Sequence, residues 1–387
     1  MTSDDPVLFE LRQSHLNTGL RGVPVGTCRT SAVNPDKGVS YGGYPIAELA
    51  PLSPESVIHL LLHKRLPDAR EAEAFAADLR RRAEVPPKVL ELLAALPREG
   101  HPMEWLIAGL LYLGMTGRTG DWMEDALNCI ARINPVTAAI FRLRSGWGKP
   151  IPPRADLGYA ANFAHMLGAP GAHPQLGELL RMFHVLHADH GGGNLSTFTG
   201  KAVASGHADV YVSLAAAMAS LYGPLHGRAN QECLRFVREV AAAGPQQVEA
   251  FVRRTLEQGG KIFGFGHPVL RKEDPRAKVQ YAFAEKHFAN DPLVKTALAL
   301  RQIVPPILME QPKISNPYPN VDAASGSLLH AAGLKDDNYY TVLFGWSRVA
   351  GIAAQIVDER VHLRDGKGVP IYRPRYVAEN QPEKHLL

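Results

Sequence analysis

Apolar residues recur along this chain mostly at intervals of three and four, the spacing of one face of an α-helix. The stretch 68–83, DAREAEAFAADLRRRA, combines that spacing with strong helix formers. Residues 86–97 open on proline and carry Val89, Leu90, Leu93 and Leu96 on one side. The same period predicts helices over 103–115, 121–133, 135–145, 175–188, 208–222, 227–243, 246–258, 276–289, 292–310 and 336–360, with Pro or Gly at most of the joints. The segment 207–222, HADVYVSLAAAMASLY, is apolar around much of its circumference, which predicts a helix buried on nearly all sides. Strand patterns are rare. Residues 23–44, where Gly and Pro interrupt short apolar pieces around Thr30–Val33, allow two to four short strands. Strands do not alternate with helices, so the pattern points to an all-α fold and not to a doubly wound sheet. From about residue 363 the chain is polar and contains proline, and it should run over a surface.

Composition narrows the function class. The 387 residues are 45% hydrophobic and 21% charged, enough to bury a sizeable core. The formal net charge of +4 is scattered, with no basic run to track a nucleic-acid backbone, so no nucleic-acid partner is expected. No stretch approaches about 20 apolar residues, so no membrane partner is expected either. Cys28, Cys129 and Cys233 show no CxxC spacing, which argues against a disulfide framework and a cysteine zinc site and fits a reducing compartment. The start, Met1-Thr-Ser-Asp-Asp-Pro, has no apolar core of a signal peptide. Together these predict a cytoplasmic location. Gly/Pro joints at 223–227 and near 326 suggest a domain inserted between them that closes by hinge motion.

Four segments concentrate the chemistry. In His187-Ala-Asp-His190-Gly-Gly-Gly-Asn194 the glycines suit a tight turn or close approach to a ligand. The two histidines are either helix-end residues bonded to the backbone or ligands; a zinc reading lacks a third ligand, and no metal is expected. In Gly223-Pro-Leu-His226-Gly-Arg-Ala-Asn230 the histidine falls at a helix N-terminus, where the dipole favours a neutral ring able to stabilise an enolate oxygen; a plain N-cap is the alternative. Gly264-Phe-Gly266-His267-Pro-Val-Leu-Arg271-Lys-Glu-Asp-Pro-Arg276 pairs permissive glycines with two arginines that either bind carboxylate or phosphate or stay solvated. In Asn320-Val-Asp322-Ala-Ala-Ser325-Gly326, the carboxylate at a loop-to-helix joint is an N-cap or a general base. Arg348, in Phe344-Gly-Trp-Ser-Arg348, sits inside an apolar helix and needs an anionic partner, either a glutamate of this protein or a substrate carboxylate.

In order, these segments resemble the citrate synthase family. The resemblance rests on HADHGGGN and GPLHGRANQE with the Ala-rich helix between them, on GFGHPVLRKEDPR, PNVDAASG, YYTVLFGWSR and the late Arg373-Pro pair, and on GLRG at 19–22 and NPDKGVSYGGYPI at 34–46. It covers nearly the whole chain. It implies an all-α enzyme with a large domain (1–226 and 328–387) and a small domain (227–327) that rotate together. It implies that acetyl-coenzyme A is condensed with oxaloacetate and the thioester then hydrolysed, with no tightly bound cofactor. Asp322 would take a proton from the acetyl methyl, His226 would hold the enol oxygen and His267 would protonate the ketone oxygen. His190, Arg276, Arg348 and Phe344 would bind oxaloacetate, with Arg373 reaching in from the partner subunit of a homodimer. Coenzyme A would meet Arg21, Arg271 and the partner's Arg118, and the backbone at Ile262, Gly264 and Gly266. A 2-methylcitrate synthase acting on propionyl-coenzyme A is the nearest alternative, since Thr197-Phe-Thr199 also occurs among such relatives. A non-catalytic scaffold is disfavoured because His226, His267 and Asp322 are all present.

Overall fold

The computed structural model describes residues 6–311 and 314–377. Sixteen α-helices and one three-stranded antiparallel sheet make up the described residues, so the expected all-α fold is observed. The strands Ser31–Asn34, Gly38–Tyr41 and Tyr44–Pro45 form a small meander in which Ser31 faces Tyr41. Among the described residues, no helix is long and apolar enough to cross a membrane.

The molecule is organised around the helix Tyr340–Val357. Every one of its residues is buried except Phe344. It packs on Trp122–Ser145, Val210–Leu221, Pro54–His63, Leu176–His187 and Leu195–Ser205. Trp346 stacks on Phe163 with ring centroids 4.2 Å apart and donates its indole N–H to Asn134 at 2.9 Å, so the ring is buried with its polar atom satisfied.

Local chemistry sets most helix ends. Asp68 and Glu71 form a reciprocal capping box at the start of Ala69–Arg82. Asp209 accepts the N–H of Val212 at the start of Val210–Leu221, whose Tyr211, Leu214, Ala217, Met218 and Leu221 are fully buried, as the all-round apolar pattern implies. One expectation fails. Residues 121–145 form a single helix, Trp122–Ser145, with Pro135 inside it, and not two helices broken at the proline. Proline removes one backbone bond and crowds the preceding turn. Here an almost unbroken row of buried residues from Asp125 to Phe141 holds the helix together across that defect.

Two apolar cores are present. The larger runs through most of the chain. The smaller joins Cys233, Phe236, Val237, Val240, Val248, Val252, Ile262, Leu300, Val304, Ile307 and Leu308. Cys28, Cys129 and Cys233 are free thiols. The tail is irregular and mostly exposed as far as Val377; residues 378–387 lie outside the described residues, as do residues 1–5.

Candidate active site

The histidine–glycine segment lies between a helix that ends and one that begins. Leu176–His187 stops at His187, Gly191 turns the chain at φ +70°, where a side chain would be strained, and Asn194 caps Leu195–Ser205. The Asn194 amide donates back to the carbonyls of His190 at 3.1 Å and Gly191 at 3.0 Å, closing the loop. Beneath it lies Asp189, fully buried. Its carboxylate accepts from the Thr30 hydroxyl at 2.6 Å, the Ser31 hydroxyl at 2.7 Å, the His190 N–H at 2.8 Å and the Gln355 amide at 2.8 Å. Neutral donors alone hold this charge, joining the first strand, the His190 loop and the central helix. Asp189→Asn puts an NH₂ where one set of these donors points. It is expected to raise the KM of the substrate that the family resemblance implies for this site about tenfold, the cost of one lost charge-assisted bond, with kcat much less affected. Steady-state kinetics beside a melting curve check this; an unchanged KM with a lower Tm would make Asp189 structural only.

His226 and His267 are held by backbone donors that fix where each ring carries its proton. The Ser196 N–H points at His226 Nε2 at 3.2 Å, with the Ser196 hydroxyl 2.9 Å away, so Nε2 accepts and Nδ1 bears the hydrogen. The N–H groups of Val269 and Leu270 both donate to His267 Nδ1 at 3.0 Å, leaving the hydrogen on Nε2. Burial, helped by the charge of Arg348, pulls His226 down to about 4. Burial and Arg276 do the same for His267. Both rings are therefore neutral donors at neutral pH. The expectation of a helix dipole acting on His226 is corrected: the helix Ala229–Ala243 starts three residues later, and desolvation is the main cause. His190 lies next to His267, with centroids 5.5 Å apart, and burial together with Arg276 and Arg348 lowers its pKa well below the usual value.

Asp322 is the first residue of the helix Asp322–Ala331 and caps nothing. Its carboxylate accepts no hydrogen bond among the described residues. Burial raises its pKa to about 6, against the opposing pull of Arg276 and Arg348. It lines a cleft of about 420 Å³ together with Ile262, Gly264, Gly266, Asn316 and Asn320. Gly264, at φ +83°, has no room for a Cβ, which would lie 2.7 Å from the Cys233 sulfur and 2.8 Å from Ala323 Cα. Asn320 N–H donates to the Gly264 carbonyl at 2.9 Å, and its amide to the Gly266 carbonyl at 2.9 Å, so the glycine loop and the approach to Asp322 are tied together.

The two buried arginines differ. Arg276, 2% exposed, pairs with Asp274 at 2.7 Å. Burial opposes its charge, but Asp274 outweighs this and holds the guanidinium above its ordinary value. Arg348, also 2% exposed, makes no ion pair among the described residues. It donates Nε–H to the His187 carbonyl at 2.8 Å and lies over the Phe344 ring at 4.7 Å, and burial pulls it down to about 10. The internal glutamate allowed by the sequence is absent there. Phe344 also approaches the rings of His187 at 5.5 Å and His226 at 6.3 Å. The geometry thus gathers His190, His226, His267, Arg276, Phe344, Arg348 and Asp322 around shared charges.

The remaining candidates stay outside. Arg271 is exposed, although its charge reaches His267, and Arg21 and Arg373 are exposed. Arg118 pairs with Asp209 at 2.8 Å. Among the described residues, no three His, Cys, Asp or Glu side chains gather where a metal could sit. Sequence reasoning did not single out Asp189, Asp274 or Ser196. Asp274 and Asp189 each sit inside a motif they serve, beside Arg276 and next to His190, and that place was the available signal; the other donors to Asp189, and the ring that Ser196 meets, are distant along the chain.

A family model described as "Citrate synthase, C-terminal domain" matches residues 19–375. The chain belongs to the citrate synthase family. The family's members are acyltransferases, and this chain is one. It is 39% identical over 396 aligned positions to "Citrate synthase, mitochondrial" of Daucus carota, covering 95% of this chain and 82% of that protein. Its fold is similar to that of the citrate synthase from Thermotoga maritima, with a TM-score of 0.81, 28% identity, and coverage of 94% of this chain and 96% of that one. The citrate synthase from Thermoplasma acidophilum, solved as a ternary complex with carboxymethyl coenzyme A and oxaloacetate, gives 0.83 at 26% identity over 95% and 97%. The names correct one expectation. The relatives from Daucus carota, Citrus maxima and Arabidopsis thaliana are named as mitochondrial, which overturns the cytoplasmic placement. Free cysteines report a reducing interior and do not tell one such compartment from another.

Proposed function

We propose that this citrate synthase family member condenses acetyl-coenzyme A with oxaloacetate and hydrolyses the resulting thioester to citrate and coenzyme A, with no tightly bound cofactor. The observation that carries this reading is the Asp322 carboxylate, unbonded and raised to about 6, in the cleft lined by the Gly264–Gly266 loop. Asp322 removes a proton from the acetyl methyl group while His226 Nδ1–H holds the thioester oxygen of the enol. The methyl carbon then bonds to the ketone carbon of oxaloacetate, and His267 Nε2–H gives its proton to the forming alkoxide. Water cleaves the thioester. Two orientations support these assignments: each ring is pinned by backbone N–H groups at one nitrogen and free to donate from the other.

His190, Arg276, Arg348 and Phe344 bind the keto diacid, and the partner's Arg373 completes that site in a homodimer. Arg21, Arg271 and the partner's Arg118 take the coenzyme A phosphates, and Ile262, Gly264 and Gly266 the adenine. The unpaired charge of Arg348 supports the first part, since a buried guanidinium without a protein carboxylate suits a substrate carboxylate. Residues 227–327 act as a small domain closing on a large domain formed by 1–226 and 328–387, and the smaller apolar core, drawn wholly from residues within 227–327, supports that division.

A thiol-release assay with oxaloacetate and either acyl-coenzyme A tests the reading. A kcat/KM higher for acetyl- than for propionyl-coenzyme A is expected. One methylene in an apolar pocket is worth only about 1–3 kcal/mol, so some propionyl turnover is consistent with it. A propionyl preference would make the enzyme a 2-methylcitrate synthase, and no release with either thioester would end the proposal.

A further inference from the structure

Where the end of the central helix meets the tail, basic side chains crowd a second, separate cavity. It measures about 310 Å³ and is lined by His207, Arg360, Arg364 and Lys367 together with Ser205, Gly206 and residues 368–371. It shares no lining residue with the cleft at Asp322. Among the described residues no carboxylate lines it. Asp365, the one acid in the turn 363–371, is absent from its wall, and the acids nearby in sequence are engaged elsewhere: Glu359 pairs with Lys201 at 2.8 Å and Asp358 with Arg29 at 2.7 Å.

Arg360 gives this cluster its meaning. It is 7% exposed and makes no ion pair among the described residues, and its Nε–H has no partner. Its other nitrogens donate to the Val369 carbonyl at 2.7 Å and meet His207 Nε2 at 3.3 Å. The guanidinium is thus buried beside the Val369 carbonyl, the His207 ring and, at 5.8 Å, the Trp122 ring, with no carboxylate on it among the described residues, and Arg364 and Lys367 bring two more positive charges to the same hollow. Like charges held close without a counter-ion repel, and burial of one of them raises that cost. The backbone is committed to this arrangement. His207, Arg364 and Asp365 adopt left-handed φ of +64°, +56° and +56°, a conformation that non-glycine residues hold only when their surroundings impose it. Gly368, at +71°, leaves open the space beside the Arg360 guanidinium, where a Cβ would lie 2.5 Å from its nitrogen.

We propose that this cavity is a binding site for a small multivalent oxyanion of the phosphate class, held by Arg360, Arg364 and Lys367. Arg360 and Arg364 donate to the carbonyls of Val369 and Gly368, and the Arg360 Nε–H reaches nothing among the described residues, so phosphate oxygens would supply the anionic acceptors this cluster lacks. Ile371 forms part of the wall two residues before Arg373, so an occupant fixes the stem of the segment that carries that arginine.

Calorimetric titration of the full-length protein with inorganic pyrophosphate, in the presence of saturating oxaloacetate and coenzyme A to occupy the catalytic cleft, tests the site. About one equivalent should bind, and Arg364→Ala/Lys367→Ala should weaken it at least tenfold while basal kcat stays unchanged. Both residues are exposed, so the variant should fold. The same titration with inorganic phosphate separates a preference for one phosphoryl group from a preference for two. Absence of binding by both anions, or binding equal in wild type and variant, would overturn the proposal. The result does not depend on which acyl-coenzyme A is turned over.

Discussion

Turnover by Asp322→Ala is expected to fall by about 10³-fold or more, within or beyond the range for loss of a general base, while oxaloacetate still binds. The methyl protons of a thioester are very weakly acidic, so removing the base leaves His226 with no enol to stabilise. Calorimetry with oxaloacetate separates roles: lost binding would mean that Asp322 shapes the site and does not act as a base. The pH dependence carries a further signature. Burial lifts Asp322 to about 6, whereas His226 and His267 lie at about 4, so the wild-type kcat/KM, which reports the ligand-free enzyme, should rise with pH through about 6, with the carboxylate alone setting that limb. Stability runs the opposite way. A carboxyl whose pKa in the fold is above its unfolded value costs stability above about pH 6, and that cost fades as the pH drops towards 4. Asp322→Asn should therefore melt higher than the wild type at alkaline pH and equally near pH 4.

Arg348→Leu is expected to raise the oxaloacetate KM about 100-fold with a smaller change in kcat. Truncating one partner of a buried, hydrogen-bonded charge pair costs about 2–5 kcal/mol, and each 1.4 kcal/mol is tenfold. Without substrate the guanidinium touches only the His187 carbonyl and the Phe344 ring, and burial outweighs the pull of the more distant Asp189 and Asp322, so leucine removes a poorly compensated cation and should not lower the melting temperature. Steady-state kinetics and a thermal melt decide together. An unchanged KM would take Arg348 out of the substrate pocket; a lower Tm with an unchanged kcat/KM would make it a packing residue.

Much of this architecture was legible because its longer helices carry their own punctuation. Ala69–Arg82 has its aspartate cap and Pro292–Met309 its opening proline, and each appears within two residues of the expected ends. Some of the shorter helices were legible too, as at Pro87–Ala95 and Val248–Glu257, but others were not. Pro54–His63 is buried nearly all round, so it has no polar face to set a period. Leu195–Ser205 is rich in Ser, Thr and Gly and follows three glycines, so propensity argues against it and only the Asn194 cap speaks for it. The site divides in the same way. The motif histidines, Asp322 and Arg348 stand out as residue types in unusual settings. The groups that orient them do not, since the Thr30–Asp189 and Asp189–Gln355 contacts join residues 159 and 166 apart, a pairing that only the folded chain creates.

An α-helix ordinarily keeps a wet side where substitutions are tolerated. Tyr340–Val357 has none, and its one less covered residue belongs to the candidate substrate pocket. Mutational robustness is therefore low along these 18 residues, about 27 Å of backbone at ~1.5 Å per residue. Sequence drift has no harmless positions there, and a change made to adjust the pocket is transmitted directly to the packing of the five helices named above.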